Sequence, residues 1–251
     1  MALLGCLLLL ASLATPALAW AARELTVAAA ADLTFPFAEL VPAFERRHGV
    51  KVTFVFGSTG TLAKQIEHGA PMDVFFAADQ AFVEKLVARG LLIRETQTLY
   101  ARGRIALATV RRTGLKLAGL QDLTRPEVKR IAIANPTHAP YGRAAEQALQ
   151  KSGLWETLRP KLVYGENVRQ ALQFLQTGNV EAGILALSVA HVPEITYVLL
   201  DGSLHVPLNQ VAAVVGRSRE PELGLAFIRF VAGGEGRTVM KRFGFLLPGE
   251  W

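Results

Sequence analysis

The chain has 251 residues, of which 51% are hydrophobic and 19% are charged. This composition supplies enough apolar side chains for a packed core and excludes an intrinsically disordered protein. The 27 basic and 21 acidic residues give a net charge of +6, which attracts anions over long range. Because the basic residues are scattered and no aromatic-basic motif accompanies them, we expect no nucleic-acid partner.

The first 22 residues have the pattern of a secretory signal peptide. They contain no charge, and the apolar block at 7–14 is too short to span a bilayer. Pro16-Ala-Leu-Ala19 then supplies the small residues of a cleavage site, so we expect cleavage near Ala19 and a periplasmic mature protein. No Lys or Arg precedes the apolar block, which leaves the position of the true start open. Cys6 lies in this segment, so the mature chain would have no thiol and no cysteine-ligated metal.

The next part of the sequence predicts three strands, each followed by a helix. Apolar residues at positions 37, 40, 41 and 44 recur at helical spacing, and 51–56 is rich in the β-branched and aromatic residues typical of a strand. The predicted strands are 25–30, 51–56 and 74–77, and the predicted helices are 32–45, 61–67 and 80–89. This alternation predicts a parallel sheet with helices on both faces.

A second alternating set begins near residue 120. After a strand at 103–110, the pattern predicts strands at 131–134, 161–164 and 182–187, with helices at 143–151 and 166–176. An apolar run at 206–215 and an amphipathic helix at 221–232 come last, and no linker rich in Ser, Gly or Pro separates the two sets.

We therefore expect an α/β fold of two lobes with a cleft between them. Each lobe would be a mostly parallel sheet flanked by helices, and strands near 101–108 and 206–214 would cross between the lobes. The expected boundaries are 23–102 plus 210–251 for lobe I and 103–209 for lobe II.

Four predicted strand-to-helix turns are built from small residues. They are Ala28-Ala-Ala-Ala-Asp-Leu33, Gly57-Ser-Thr-Gly60, Thr137-His-Ala-Pro-Tyr-Gly142 and Gly165-Glu-Asn-Val168. In open α/β sheets, ligands bind at the carboxyl ends of the strands, where such turns gather. The first amides of a helix have no internal partners and carry the positive end of its dipole, so they bind anions without Lys or Arg. For any single turn, ordinary helix capping by Ser, Thr or Asp is the alternative.

These and other motifs resemble those of periplasmic molybdate-binding proteins, the solute receptors of ABC importers. The resemblance covers residues 24–249 in order. Its most specific stretch is Gly69-Ala-Pro-Met-Asp-Val-Phe-Phe-Ala-Ala-Asp79. Further matches are Thr26-Val-Ala-Ala-Ala-Ala-Asp-Leu33, Gly57-Ser-Thr-Gly-Thr-Leu62, Ile133-Ala-Asn-Pro136, Ala139-Pro-Tyr-Gly142 and Glu166-Asn-Val168.

The resemblance implies the two-lobed periplasmic-binding-protein fold, closed around a tetrahedral oxyanion. The expected ligand is molybdate or tungstate, held by hydrogen bonds without direct metal ligands or a cofactor. The expected partner is an ABC permease in the inner membrane, served by a monomeric receptor that is not an enzyme. Carried over by position, the ligand contacts are Ala31, Asp32, Ser58, Thr59, Tyr141 and Val168.

Three positions depart from the family pattern. Thr59 replaces a serine and keeps the hydroxyl, whereas Ala186 stands near a position where the family often has tyrosine. We expect Tyr141 to supply both an amide and the missing hydroxyl. Asp32 stands where serine is commoner, and an ionised carboxylate 4 Å from a like charge costs about 4 kcal/mol at an effective dielectric constant of about 20. We expect Asp32 to cap the following helix, and the alternative is that it accepts a proton from a protonated ligand.

Two other functions remain open at this level. A ferric-ion receptor would use Asp32, Tyr141 and His138, but this leaves Ser58 and Thr59 without a role. An envelope enzyme would use Asp32, His138 or Glu166 as acid or base, yet the sequence has no Gly-x-Ser-x-Gly elbow, P-loop or His-Glu-x-x-His motif. His138 alone is more typical of an exposed loop residue than of a ligand.

Overall fold

The computed structural model describes residues 23–251, and the predicted signal peptide lies outside this range. The chain first forms β1 (Arg23–Ala30), α1 (Thr34–His48), β2 (Val50–Gly57), α2 (Thr59–Glu67), β3 (Val74–Ala77), α3 (Gln80–Ala88) and β4 (Thr98–Gly103). It continues with β5 (Ile105–Val110), β6 (Ile131–Ala134), α4 (Pro140–Lys151), α5 (Trp155–Leu158), β7 (Leu162–Gly165), α6 (Val168–Gln176), β8 (Ala182–Ala186), α7 (Leu187–Ala190) and β9 (Ile195–Leu199). It ends with β10 (Leu208–Val214), α8 (Pro221–Ala232) and α9 (Gly234–Arg242).

The strands form two five-stranded sheets of the same design. The first has the order β2-β1-β3-β10-β4 and the second the order β7-β6-β8-β5-β9. In the first sheet β10 is antiparallel to both of its neighbours, and in the second β5 is antiparallel to both of its neighbours. Four of the five strands in each sheet therefore run the same way, which confirms the prediction of two mostly parallel sheets.

The chain crosses between the sheets twice. β4 belongs to the first sheet, and β5 begins in the second sheet after the single residue Arg104. The return runs from β9 to β10 through residues 200–207. The crossing strands predicted near 101–108 and 206–214 lie close to these two connections, but the sequence pattern predicted neither β4 nor β9.

Packing explains why these segments form a stable sheet-and-helix arrangement. In lobe I, α1 turns Phe37 and Phe44 inward against Phe76 and Phe227, and the rings meet edge to face at centroid distances of 4.9–5.6 Å. α1 then ends at Gly49, whose φ of 59° is readily adopted only by glycine.

Within residues 23–251, no helix is both long enough and apolar enough to cross a membrane.

Candidate ligand-binding site

Strand register brings the four small-residue turns together in pairs. Ala30, the last residue of β1, pairs with Gly57, the last residue of β2. In the other sheet, Ala134 at the end of β6 pairs with Gly165 at the end of β7. Each lobe therefore presents two neighbouring helix N-termini at one sheet edge, and the two edges face each other.

The turns surround a small, narrow cavity between the lobes. The residues that line it are Ala30, Ala31, Asp32, Gly57, Ser58, Thr59, Ala78, Ala139, Pro140, Tyr141, Asn167 and Val168. All six residues predicted to contact the ligand are among them, and Ala186 is not. A larger open depression lies on lobe II, but no strand-to-helix turn opens into it.

The helix starts at this cavity provide free hydrogen-bond donors. Pro140 occupies the first position of α4, as predicted, and the amides of Thr59, Tyr141 and Val168 lie in the first turns of their helices. Those amides have no intrahelical partner and donate to no other described residue. Asn167 caps α6 by accepting hydrogen bonds from the amides of Arg169 and Gln170. The lining includes no Lys or Arg, so the donors are chiefly backbone groups.

The two hydroxyl residues of the second turn differ in their hydrogen bonding. Thr59 Oγ1 accepts a hydrogen bond from the Ala78 amide at 3.0 Å, and its own proton is donated to no residue of the described chain. Ser58 caps α2, and its hydroxyl donates to Thr61 Oγ1 at 2.8 Å. The Thr59 hydroxyl is therefore free to donate into the cavity, whereas the Ser58 hydroxyl would first have to rotate.

Asp32 is completely buried and does not cap a helix, so the capping prediction is wrong. Its Oδ2 accepts hydrogen bonds from the Tyr141 hydroxyl at 2.9 Å and from Gln210 Nε2 at 2.6 Å. The proton of the Tyr141 hydroxyl is thus directed at Asp32, whereas the sequence had predicted that it would serve the ligand. The backbone carbonyl of Asp32 accepts a hydrogen bond from Ser188 of lobe II at 2.8 Å.

Burial changes the acidity of this cluster. The pKa of Asp32 rises from 3.8 to about 6 because burial disfavours the carboxylate, although the hydrogen bonds from Gln210 and Tyr141 lower it in part. Burial also raises the pKa of the Tyr141 and Tyr100 hydroxyls well above 10, with the nearby Asp32 contributing, so both stay neutral.

Sequence reasoning missed Gln210 and Tyr100, which orient this cluster. The Tyr100 hydroxyl donates to Gln210 Oε1 at 2.8 Å, which turns the Gln210 amide nitrogen toward Asp32. Gln210 is completely buried in β10. The signal in the sequence was a lone glutamine within the apolar run 206–215, because a buried amide requires hydrogen-bond partners.

His138 and Glu166 form a second cluster across the cleft. His138 Nδ1 lies 2.7 Å from Ser58 Oγ, Thr61 Oγ1 donates to Glu166 Oε1 at 2.9 Å, and Glu166 Oε2 lies 3.5 Å from His138 Nε2. Because the Ser58 proton points to Thr61 and the Thr61 proton points to Glu166, His138 must donate from Nδ1. Only 18% of the His138 side chain is exposed, so the expectation of an exposed loop residue is wrong.

Further contacts hold the lobes together. The Gly60 amide donates to the His138 carbonyl at 2.9 Å, and Arg143 pairs with Asp79.

Among residues 23–251, no group of three or more His, Cys, Asp or Glu side chains is placed to hold a metal ion.

Comparison with known proteins identifies the family. Residues 25–246 match the family described as bacterial extracellular solute-binding protein. The chain belongs to this family. Two curated relatives are the molybdate-binding proteins ModA of Azotobacter vinelandii and Rhodobacter capsulatus. The first is 35% identical over 236 residues, covering 89% of this chain and 90% of that protein, and the second is 33% identical over 241 residues, covering 96% and 94%.

One solved structure shares the fold of this chain. The periplasmic molybdate-binding protein of Azotobacter vinelandii matches with a TM-score of 0.84 at 29% identity, covering 90% of this chain and 100% of that one. The predicted two-lobed α/β fold is thereby confirmed. A solute-binding protein of this family binds its ligand without chemical conversion, so the enzyme alternative built on Asp32, His138 and Glu166 is set aside.

Proposed function

We propose that this protein captures molybdate or tungstate outside the cytoplasm and delivers it to an ABC importer permease. The observation that carries the proposal is the convergence of four helix starts on one small cavity between the lobes. A tetrahedral dianion suits this cavity because amide and hydroxyl donors surround it and no cationic side chain is needed. The relatives named molybdate-binding protein support the choice of oxyanion.

The proposed contacts are the residues predicted from sequence, in two groups. Backbone amides of the helix starts would supply most hydrogen bonds, and Thr59 would add a hydroxyl. The full set is Ala31, Asp32, Ser58, Thr59, Tyr141 and Val168. A ferric ion is a poorer occupant, because His138 faces Ser58 and Glu166 and is not among the lining residues.

We further propose that the lobes 23–102 plus 210–251 and 103–209 move as units, that the receptor works as a monomer, and that it acts in the periplasm. The sheets support these boundaries to within two residues, since β4 ends at Gly103 and β10 begins at Leu208. The contacts between lobes are hydrogen bonds and ion pairs at the rim of the cavity, which can break and form again when ligand enters.

A thermal-shift panel on the mature protein tests the function. The ligands are molybdate, tungstate, sulfate, phosphate and ferric citrate. An oxyanion present at 100 times its dissociation constant raises the free energy of unfolding by about 2.7 kcal/mol. We expect molybdate and tungstate to raise the melting temperature at lower concentration than the other ligands. A shift with phosphate or ferric citrate alone would show that the ligand assignment is wrong.

A further inference from the structure

The two oxygens of the Asp32 carboxyl group are in unlike surroundings. Oδ2 accepts two hydrogen bonds, from Tyr141 and from Gln210, which occupy both of its lone pairs. Oδ1 is buried and has no hydrogen-bond partner in the described chain. The Tyr100 hydroxyl fixes the orientation of the Gln210 amide, so the two donors to Oδ2 are held in place.

This asymmetry determines where a proton on Asp32 would reside. With both lone pairs of Oδ2 occupied, the proton of the neutral acid is on Oδ1. The backbone amide of Asp32 itself lies close to the carboxyl group, but it is a donor and cannot accept that proton. Asp32 lines the cavity, so an oxygen of the bound anion can be that acceptor.

We propose that Asp32 binds the oxyanion as a neutral carboxylic acid, donating a hydrogen bond from Oδ1, so that the site takes up one proton together with each dianion. The inference rests on the proposed function and specifies its chemistry. Ionised Asp32 would instead set a buried negative charge beside a dianion, at a cost of about 4 kcal/mol per unit charge at 4 Å and a dielectric constant of about 20.

The groups packed around Asp32 leave it as the site of this proton. Tyr141 on α4 and Tyr100 on β4 are neutral phenols, and Gln210 on β10 does not titrate. Ser188 on α7 contacts only the backbone carbonyl of Asp32.

The cationic side chains nearby are directed elsewhere. On α4, Arg143 is paired with Asp79, and on α6, Arg169 stacks over the Phe35 ring with its guanidinium carbon 4.5 Å from the ring centre. The imidazole of His138 also lies near the cavity, where it contacts Ser58. Its contribution has to be separated by experiment.

The acidity of Asp32 agrees with this assignment. Burial raises its pKa to about 6 without any anion present, and a dianion beside it raises the pKa further. Above about pH 7 the unliganded protein therefore holds Asp32 ionised, and the proton enters with the ligand.

Calorimetric titration with molybdate at about pH 7.5, in two buffers of different ionisation enthalpy, measures this proton directly. We expect the binding enthalpies measured in the two buffers to differ by about the difference between the buffers' ionisation enthalpies, which corresponds to uptake of about one proton. The affinity should fall about tenfold per pH unit between about pH 7.5 and 9. In Asp32→Asn, whose amide donates without titrating, uptake and pH dependence should both vanish.

Two further variants identify the source of the proton. His138→Gln and the exposed-site control Asp201→Asn should retain the uptake of the parent protein. Uptake that is lost in His138→Gln but kept in Asp32→Asn would overturn the proposal, as would molybdate binding with no uptake in the parent protein. Preferential binding of hydrogen phosphate without uptake would show an ionised, accepting Asp32 and would also overturn it. No heat with any oxyanion would instead refute the proposed function itself.

Discussion

Single residues decide which charges and hydrogen-bonding groups surround the cavity, and Asp32 is the clearest case. Its side chain contacts Tyr141 of lobe II and Gln210 of lobe I, and its carbonyl contacts Ser188 of lobe II. One buried carboxyl group thus joins the two lobes directly behind the proposed ligand. Removing its charge should change stability in a way that depends on pH.

We expect Asp32→Asn to gain stability relative to the parent protein as pH rises. A raised carboxyl pKa means that the folded protein binds the proton more tightly than the unfolded chain. That contribution is complete below pH 3.8 and is lost as pH rises through about 6. Between about pH 4.5 and 7.5 the loss is about 2 kcal/mol. Urea unfolding of both proteins without oxyanion measures it, and a difference that is constant with pH would contradict the prediction.

Thr59→Val tests the free hydroxyl in the cavity. A hydrogen bond to a charged group contributes about 1.5–3 kcal/mol, so we expect the affinity for molybdate to fall about 10- to 100-fold. Thr109→Val is a matched control, because Thr109 is also buried but its hydroxyl bonds to Leu115 in lobe II. Titration calorimetry should show unchanged affinity in the control, and equal losses in both variants would remove Thr59 from the site.

At the scale of elements, the helix starts act as fixed donors because strand register holds them in place. Ser58 alone separates β2 from α2, and Gly60, the second residue of α2, places its backbone against the facing lobe. A β-carbon at this position would lie 2.7 Å from the His138 carbonyl oxygen.

Gly60→Ala should therefore weaken ligand binding more than it weakens the fold. The added methyl group clashes only when the lobes are in contact, so an open form can accommodate it. We expect at least about a tenfold loss of molybdate affinity, since overpacking costs about 1–3 kcal/mol. Gly234→Ala is the control, because its β-carbon would meet no atom within 4 Å. A large fall in the melting temperature of unliganded Gly60→Ala would instead indicate a clash within the folded lobes.

At the scale of the whole molecule, the contacts between lobes describe a closed state. The cavity is sealed by the Asp32 cluster on one side and by the His138 and Glu166 cluster on another. A ligand cannot enter so narrow a cavity while the lobes touch, so the lobes have to separate first.

Small-angle X-ray scattering should detect this movement. We expect the radius of gyration of the mature protein to decrease when molybdate is added, because the ligand favours the closed form. An equal concentration of chloride is the control for ionic strength. Identical scattering curves with and without molybdate would show that the lobes do not open in the free protein to a measurable extent.

The sequence by itself determined most of the helices and strands, their order and the four turns that line the cavity. Hydrophobic period and turn residues are local signals, so strands such as 131–134 and the proline-started helix α4 were readable from a few neighbouring side chains. β9 was missed because it is a short outer strand whose residues are mostly exposed, so its apolar and polar side chains do not alternate clearly. The four turns at the cavity were readable because small residues follow the predicted strands, whereas the six contact residues within them came from the family resemblance.

Only the tertiary structure decided what the polar side chains do. Asp32 looked like a helix cap, yet it pairs with Tyr141 and Gln210, which are 109 and 178 residues away along the chain. His138 looked like an exposed loop residue, yet it lies against Ser58, 80 residues away. A hydrogen bond forms only where two groups lie close together in space, and the spacing of residues in the sequence predicts such contacts only within one helix or turn. The protonation of Asp32 follows from burial between two lobes, which no local pattern shows.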